Sequence, residues 1–227
     1  MSINTRLRAL KAFYNYLSNN KLISKNPMKN IKQLRDRQKI IETLDDEEIV
    51  SIAKYIRSQK SFVGIRDYTI FLLLLDTGIR LSELIGIEIE DVRKSSVFIR
   101  RTKNLKERTV YPTFKTLDAI SQYMKLRGSL NHNSLFINVD DEPLQSRSVQ
   151  GRFAFYKNVL GIDKQFSPHI LRHTYAKRAI MNGMDAFSLA ALLGHSDLTV
   201  TKRYVSLWGN DLEEKAKRYS TINKLNI

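Results

Sequence analysis

The chain contains no cysteine. That excludes a disulfide framework, a thiolate zinc site and a cysteine nucleophile, and it suits a reducing compartment. Proline (4) and glycine (9) are scarce among the 227 residues, which argues against collagen-like or low-complexity sequence and favours helix. Long apolar runs are missing too. The longest, Ile70–Leu75, falls far short of the roughly 20 residues a membrane helix needs. The amino terminus, MSINTRLR, has no apolar signal core, so secretion is not expected. Acids are the minority charge: 23 Asp and Glu stand against 38 Lys and Arg, a net charge of +15. The hydrophobic share of 42% is enough for a packed core and speaks against disorder. At this length one domain takes most of the chain, and a second can only be small.

A basic excess of this size points to a polyanionic partner, most often nucleic acid, and otherwise to a solvated basic surface. Its distribution is uneven. Residues 1–41 hold ten basic residues, Arg6, Arg8 and Lys11 among them, against the single acid Asp36, so +9 of the +15 lies there. An acidic stretch follows: Glu42, Asp45, Asp46, Glu47 and Glu48. The shift marks a domain boundary near 41–44.

The periodicity predicts a mainly α chain with a small antiparallel sheet, an α+β class. Ser2 can cap a first helix in which Ile3, Leu7, Leu10, Tyr14 and Leu17 form one apolar stripe. That stripe packs on the rest of the chain or belongs to a helical domain whose start is missing. Asn26-Pro27 breaks the chain. Thr43 and Asp46 resemble a capping box for a helix to about Arg57. An apolar helix over Asp67–Asp76 stops at Thr77-Gly78, and another runs from Leu81 to Gly86. Ser96–Arg101 and Arg108–Thr113 read as a hairpin, and Leu135–Ile137 as a short strand. Further helices fit 115–127, 146–160, 168–182, 185–193 and 197–206, with a helical tail over 209–220.

Four places can carry chemistry. In TGIRLSEL, Arg80 sits at a helix start after a glycine turn, an anion site in prospect, with Glu83 placed to fix it; a surface Arg–Glu pair is the plain alternative. The hairpin carries Arg100, Arg101, Lys103, Lys106 and Arg108. Such a tip suits phosphate contact, or is an edge ribbon kept soluble by charge. In SPHILRHTY, Ser167 and Pro168 open a helix with His169 and Arg172 on one face of its first turn, where backbone N–H groups favour a phosphate. In LLGHSDLTVTKRY, His195 follows a helix-ending glycine and Tyr204 lies nine residues later. A tyrosine is a nucleophile only when its proton can be removed or shared; otherwise Tyr204 is one more tyrosine on an amphipathic helix.

Together these segments, in this order, resemble the active-site motifs of the tyrosine recombinases, or phage-type integrases. The spacings of 23 from Arg172 to His195 and nine from His195 to Tyr204 match that family. The resemblance covers about residues 42–205 closely. NTRLRALKAFYNYLSNNKLISKNPM is similar to the end of the family's core-binding domain. Its earlier helices are absent, which implies a truncated or naturally short form lacking most of the DNA clamp. The implied organisation is 1–41 as the end of the core-binding domain, 42–206 as the catalytic domain and 207–227 as a tail helix that docks on a neighbouring protomer.

The resemblance also implies roles. Tyr204 attacks the scissile phosphate and forms a 3′-phosphotyrosyl link. Arg80 and Arg172 hold the non-bridging oxygens, and Lys103 protonates the leaving 5′-oxygen. His169 accepts the tyrosine proton, His195 hydrogen-bonds the phosphate and Glu83 orients the site. Arg6, Arg8, Lys11, Arg100, Arg101, Lys106 and Arg108 are the expected DNA contacts. No cofactor and no metal is implied. The expected partner is double-stranded DNA carrying a specific recombination site, engaged as a homo-tetramer by a chain that is monomeric in solution, at the nucleoid of a bacterial cytoplasm and away from any membrane. The alternatives are a type IB topoisomerase, disfavoured by the core-binding-like start, and a non-catalytic DNA-binding module, disfavoured by the intact set of six catalytic residues.

Overall fold

The computed structural model describes residues 3–34, 41–100, 107–195 and 197–208. The chain divides into two compact units, Met1–Ile40 and Ile41–Ile227. The first unit holds helix α1 (Ile3–Asn19) and a return segment. The two are tied where Asn4 Nδ2 donates to the Leu34 carbonyl at 2.8 Å and accepts from Leu34 N–H through Oδ1 at 2.9 Å. Arg6 and Arg8 are exposed on α1 and Lys11 is half-buried.

The second unit contains α2 (Asp46–Ser58), α3 (Phe62–Thr77), α4 (Leu81–Leu84), a 3₁₀ turn (Ile89–Asp91), β1 (Val97–Ile99), β2 (Arg108–Val110), α5 (Phe114–Arg127), α6 (Ser146–Val159), α7 (Pro168–Met181), α8 (Ala186–Leu193) and α9 (Thr199–Trp208). The expected class, mainly α with a small antiparallel sheet, is what the chain adopts. Among the described residues no helix is long and apolar enough to cross a membrane.

Helix α3 is the centre. Ile70, Phe71, Leu73 and Leu74 are fully buried, because α2, α5 and α7 all pack against it. Apolar on every side, it shows little helical periodicity. It also starts five residues earlier than expected. Ser61 caps it by accepting from Gly64 N–H, and its first turns carry a buried ionic cluster beside the apolar Phe62 and Ile65. Asp67 accepts from Arg66 next to it and from Arg152 Nε (2.6 Å) and Tyr156 Oη (2.8 Å) on α6. Burial, reinforced by Asp67, pushes the Tyr156 phenol far above its ordinary range, so it remains a donor. For α2 the cap is Asp45 with Glu48, each side chain bonding the other's backbone N–H, not Thr43 with Asp46; Thr43 instead accepts from Lys177. In place of a strand at Leu135–Ile137 there are only isolated bridges at its edges, Glu88 with Ser134 and Ile137 with Pro143. The strands are three residues each, with Val97 opposite Val110 and Ile99 opposite Arg108. The expected tail helix over 209–220 lies outside the described residues.

Helix α7 lies between two cores. Ile170 and Leu171 face the main one, and Ala176, Ala179 and Ile180 join Leu189, Leu193 and Tyr204 in a second. Its start is set by Ser167, whose Oγ accepts from Ile170 N–H, and by Pro168 in the first position.

Two glycines end helices in the left-handed conformation, Gly78 after α3 (φ 62°) and Gly194 after α8 (φ 64°). A Cβ on Gly78 would sit 2.5 Å from Tyr175 Cδ1 and 2.8 Å from Leu193 Cδ2. Gly78→Ala is expected to lower stability by about 2 kcal/mol or more, from left-handed strain plus the clash. Urea denaturation measures it, and a midpoint equal to the parent's would show that the turn tolerates a side chain.

Candidate active site

The site grows from one buried carboxylate. Glu83, on the single turn of α4, is 1% exposed and accepts four hydrogen bonds. Oε1 takes Arg80 Nη1 (2.8 Å) and Arg108 Nη1 (3.0 Å); Oε2 takes Arg80 backbone N–H (2.8 Å) and Arg108 Nη2 (2.8 Å). Burial alone would raise its pKa, but the bonds from Arg108 and Arg80 outweigh burial and hold it below the ordinary carboxylate value. The side chains of Arg80 and Arg108 are thereby held on one common anion, Arg108 through both terminal nitrogens.

Helix ends supply the remaining acceptors. Arg80 Nη2 donates to the Gly194 carbonyl (3.1 Å) and Arg108 Nε to that of Leu192 (2.8 Å). Arg172, 4% exposed, donates from Nη1 to Gly78 O (2.7 Å) and from Nη2 to Leu193 O (2.9 Å). All four carbonyls belong to the ends of α3 and α8, where the helix dipole is negative. Burial and the nearby Arg80 lower the Arg172 pKa to about 10, which leaves it charged at neutral pH.

Arg172 also decides a tautomer. Its Nη2 lies 2.8 Å from His195 Nε2. A guanidinium can only donate, so Nε2 accepts and Nδ1–H donates to Thr201 Oγ1 at 2.8 Å. Burial and Arg172 push the His195 pKa down to about 4, consistent with a neutral ring.

Tyr204 projects from α9 into the second core and is 2% exposed. Its ring stacks on Trp208 at 5.5 Å between centroids, with an interplanar angle of 12°. Its hydroxyl is 2.7 Å from His173 Nδ1. His169, one turn earlier on α7, is exposed and meets the His173 ring edge-to-face at 4.2 Å. Burial, His169 and Arg172 depress the His173 pKa to about 4. Burial and Arg172 also lower that of His169, while burial raises that of the Tyr204 phenol. Beside these groups opens a cleft of about 410 Å³ lined by Arg80, Ser82, Gln150, Ser167, His169 and Arg172. An oxyanion entering it would meet two guanidinium groups and the start of α7.

The fold therefore gathers Arg80, Glu83, His169, Arg172, His195 and Tyr204 from far-separated segments into one place. Lys103, Lys106 and Arg101 lie outside the described residues. Arg108, expected at a DNA contact, is turned inward on Glu83, with a side chain 10% exposed. Arg100, expected likewise, folds back onto Glu90 and Asp91 of the 3₁₀ turn. One residue of the cluster carries no role in the sequence reading, His173, and Thr201, which stands in the His195–Tyr204 segment, gains its partner only in the fold. The spacing of Thr201, three before Tyr204, carried a signal. His173 stands beside Arg172 and one turn after His169, which suggested proximity but no partner.

Comparison with known proteins matches residues 42–209 to the phage integrase family. The chain belongs to that family. Phage integrase family members are enzymes that cleave and rejoin DNA, so this chain is a site-specific tyrosine recombinase by family, with a strand-cleaving and strand-rejoining activity. It is similar to tyrosine recombinase XerC of Myxococcus xanthus, 31% identical over 218 residues, spanning 92% of this chain and 72% of the relative. It is also similar to tyrosine recombinase XerC of Syntrophus aciditrophicus, 34% identical over 222 residues, 93% and 71% of the two chains. The fold is shared with the Tn1549 transposon integrase solved with a circular intermediate DNA (TM-score 0.77, 23% identity, 98% of this chain and 79% of that one). It is shared too with the XerH recombinase bound to a palindromic difH substrate (TM-score 0.76, 21% identity, 92% and 64%).

The depressed histidines of this integrase site have a consequence for stability. Unfolded histidine titrates near pH 6.5, whereas His173 and His195 titrate near 4 in the fold. Below about pH 6.5 the unfolded state binds more protons, so stability is complete above that pH and is lost as pH falls toward 4. The melting temperature is expected to drop between pH 6.5 and 5, before most carboxylates titrate. A flat profile across that interval would contradict the neutral-histidine site.

Proposed function

We propose that this recombinase breaks a DNA strand with Tyr204 as nucleophile and holds the scissile phosphate in the cleft between Arg80 and Arg172. The carrying observation is the convergence of two fixed guanidinium groups on one cleft that also presents His169 and the start of α7. Arg80 keeps Nε unspent and Arg172 is oriented by two helix-end carbonyls. Both are set in advance for the charge that grows on the non-bridging oxygens. The Tyr204 oxygen forms the bond to phosphorus as the bond to the 5′-oxygen breaks. The 5′-oxygen takes a proton from Lys103, and the tyrosine proton passes to the histidine pair at the start of α7, of which the resemblance names His169. The phosphodiester energy is kept in the phosphotyrosyl link, so rejoining is the same path reversed. His195, neutral and tethered to Thr201, steadies Arg172 and can turn toward the phosphate.

Double-stranded DNA with a recombination site is the proposed substrate. Residues 1–41 would form the end of a core-binding clamp, with Arg6, Arg8 and Lys11 toward the backbone, and residues 207–227 would dock on a neighbouring protomer of a DNA-bound tetramer. In solution the chain is proposed to be a monomer, and in the cell to work at a bacterial nucleoid.

Nicked duplexes with randomised flanks supply a substrate pool from which covalent adducts can be captured under denaturing conditions. Tyr204→Phe keeps the ring in its core position and removes the hydroxyl. Melting temperature and DNA retention should stay near the parent's while the adduct disappears, and an adduct persisting in Tyr204→Phe would sink the assignment.

On the same pool, Arg80→Lys and Arg172→Lys should each slow adduct formation on the order of 10²-fold or more, because lysine keeps the charge and loses the bidentate fork. Parent-like rates in both variants would separate these arginines from the phosphate.

A further inference from the structure

We propose that His173, rather than His169, is the group that receives the Tyr204 proton as the nucleophile attacks. The inference rests on the reading of Tyr204 as nucleophile and resolves which member of the α7 histidine pair does the proton transfer. His173 Nδ1 is 2.7 Å from the Tyr204 hydroxyl, and the two rings meet nearly edge-on at 5.7 Å and 72°. That is hydrogen-bond reach of the reacting atom, the first requirement of a general base. His169 has a different outlook. It lines the cleft with Arg80 and Arg172 and is open to solvent, so it faces the phosphate side, and no described hydrogen bond joins it to Tyr204.

The surroundings favour a base over an acid at His173. Arg172 and His169 on its own helix and Arg203 on α9 disfavour a positive ring, and His195 stacks on Tyr204 at 6.4 Å between centroids. The half-buried imidazole therefore stays neutral, and in its Nε2–H tautomer the Nδ1 lone pair faces the Tyr204 hydroxyl at 2.7 Å. Tyr204 is buried and its phenol is harder to ionise than a free one, so an adjacent acceptor matters. In the step, the O–H bond of Tyr204 breaks, its proton moves to Nδ1 and its oxygen pair forms the bond to phosphorus. The 5′-oxygen leaves with the former P–O pair and the proton of Lys103. On rejoining, the Tyr204 oxygen regains its proton from His173.

His173→Asn tests this, since Asn Oδ1 can accept the tyrosine hydrogen bond in place of Nδ1 but cannot take the proton. Adduct formation on the nicked-duplex pool is followed from pH 5.5 to 9 for the parent, His173→Asn and His169→Asn. The parent should be nearly flat across this range. His173→Asn should be slower at pH 7 by on the order of 10²- to 10⁴-fold and should recover about tenfold per pH unit, as hydroxide takes over the deprotonation. His169→Asn should be slower without acquiring that slope. A uniform loss at every pH in His173→Asn would make the residue structural and overturn the proposal, as would a slope that appears in His169→Asn alone. Parent-like rates in His173→Asn would also overturn it. A parent protein that forms no adduct overturns the recombinase reading of Tyr204 and this inference with it. If His173→Asn does not fold, ¹⁵N-histidine NMR of the parent decides. His173 Nδ1 should be unprotonated near neutral pH, and its resonance should move in Tyr204→Phe; a protonated Nδ1 overturns the proposal.

Discussion

The Glu83 carboxylate is the constraint on which the site depends. Without it Arg80 and Arg108 would be two cations held side by side with little water. For charges roughly 6 Å apart at an effective dielectric of about 20, that repulsion is on the order of 3 kcal/mol. Glu83 accepts from both at once and from the Arg80 backbone, so one anion fixes a helix start, a strand end and the proposed phosphate ligand Arg80. The cluster remains net positive even so, since Arg172 adds a third guanidinium and no further carboxylate among the described residues bonds to it. The ends of α3 and α8 make up the difference with carbonyls from Gly78, Leu192, Leu193 and Gly194. The surplus positive charge is what an entering phosphate would neutralise. A fully compensated cluster would be more stable and would bind an anion less well.

The same bonds make the two left-handed glycines part of the site. A helix that ended without Gly78 or Gly194 would aim its last carbonyls elsewhere, and Arg172 and Arg80 would lose acceptors. At Gly194 a Cβ would also meet Arg108 Nη1 at 2.8 Å, so close packing and backbone conformation impose the same residue. Stability and function are thus coupled through backbone geometry, in a protein with few glycines to spend.

Much of this was legible before any coordinates. Glycine turns after apolar helices, a Ser-Pro helix start and the spacing of Arg172, His195 and Tyr204 located the site segments. What stayed hidden had physical causes. Helix α3 is packed on by three other helices, so its period fades, and the charged pair Arg66-Asp67 hides its first turn. Arg108 looked like part of a basic ribbon, yet alternation along β2 puts it on the same face as buried Val110 and opposite buried Ile99. That pattern was readable and pointed inward; the count of cations drew attention away from it. Asp45 was passed over as a cap because four acids crowd the same turn, and composition cannot say which one bends back. His173 could not be assigned at all, since its partner lies 31 residues away on another helix.

Tyr204 links the chemistry to the core in a way that limits both. Its ring is a core residue of the second cluster, packed with Ala176, Leu189 and Leu193 and stacked on Trp208. As the proposed nucleophile, a tyrosine held this way would lose little conformational entropy on reaching a productive geometry, which favours attack. It also has little room to travel, so α9 must carry the hydroxyl as a unit whenever the phosphate lies beyond reach. The hydrogen bond to His173 gives the hydroxyl a defined direction while it waits, and the same bond offers its proton an exit. Burial that raises the phenol's pKa would by itself silence the nucleophile at neutral pH. Paired with a neutral acceptor, it would instead confine attack to the moment when the proton can be handed over, beside a cleft that Arg80 and Arg172 line.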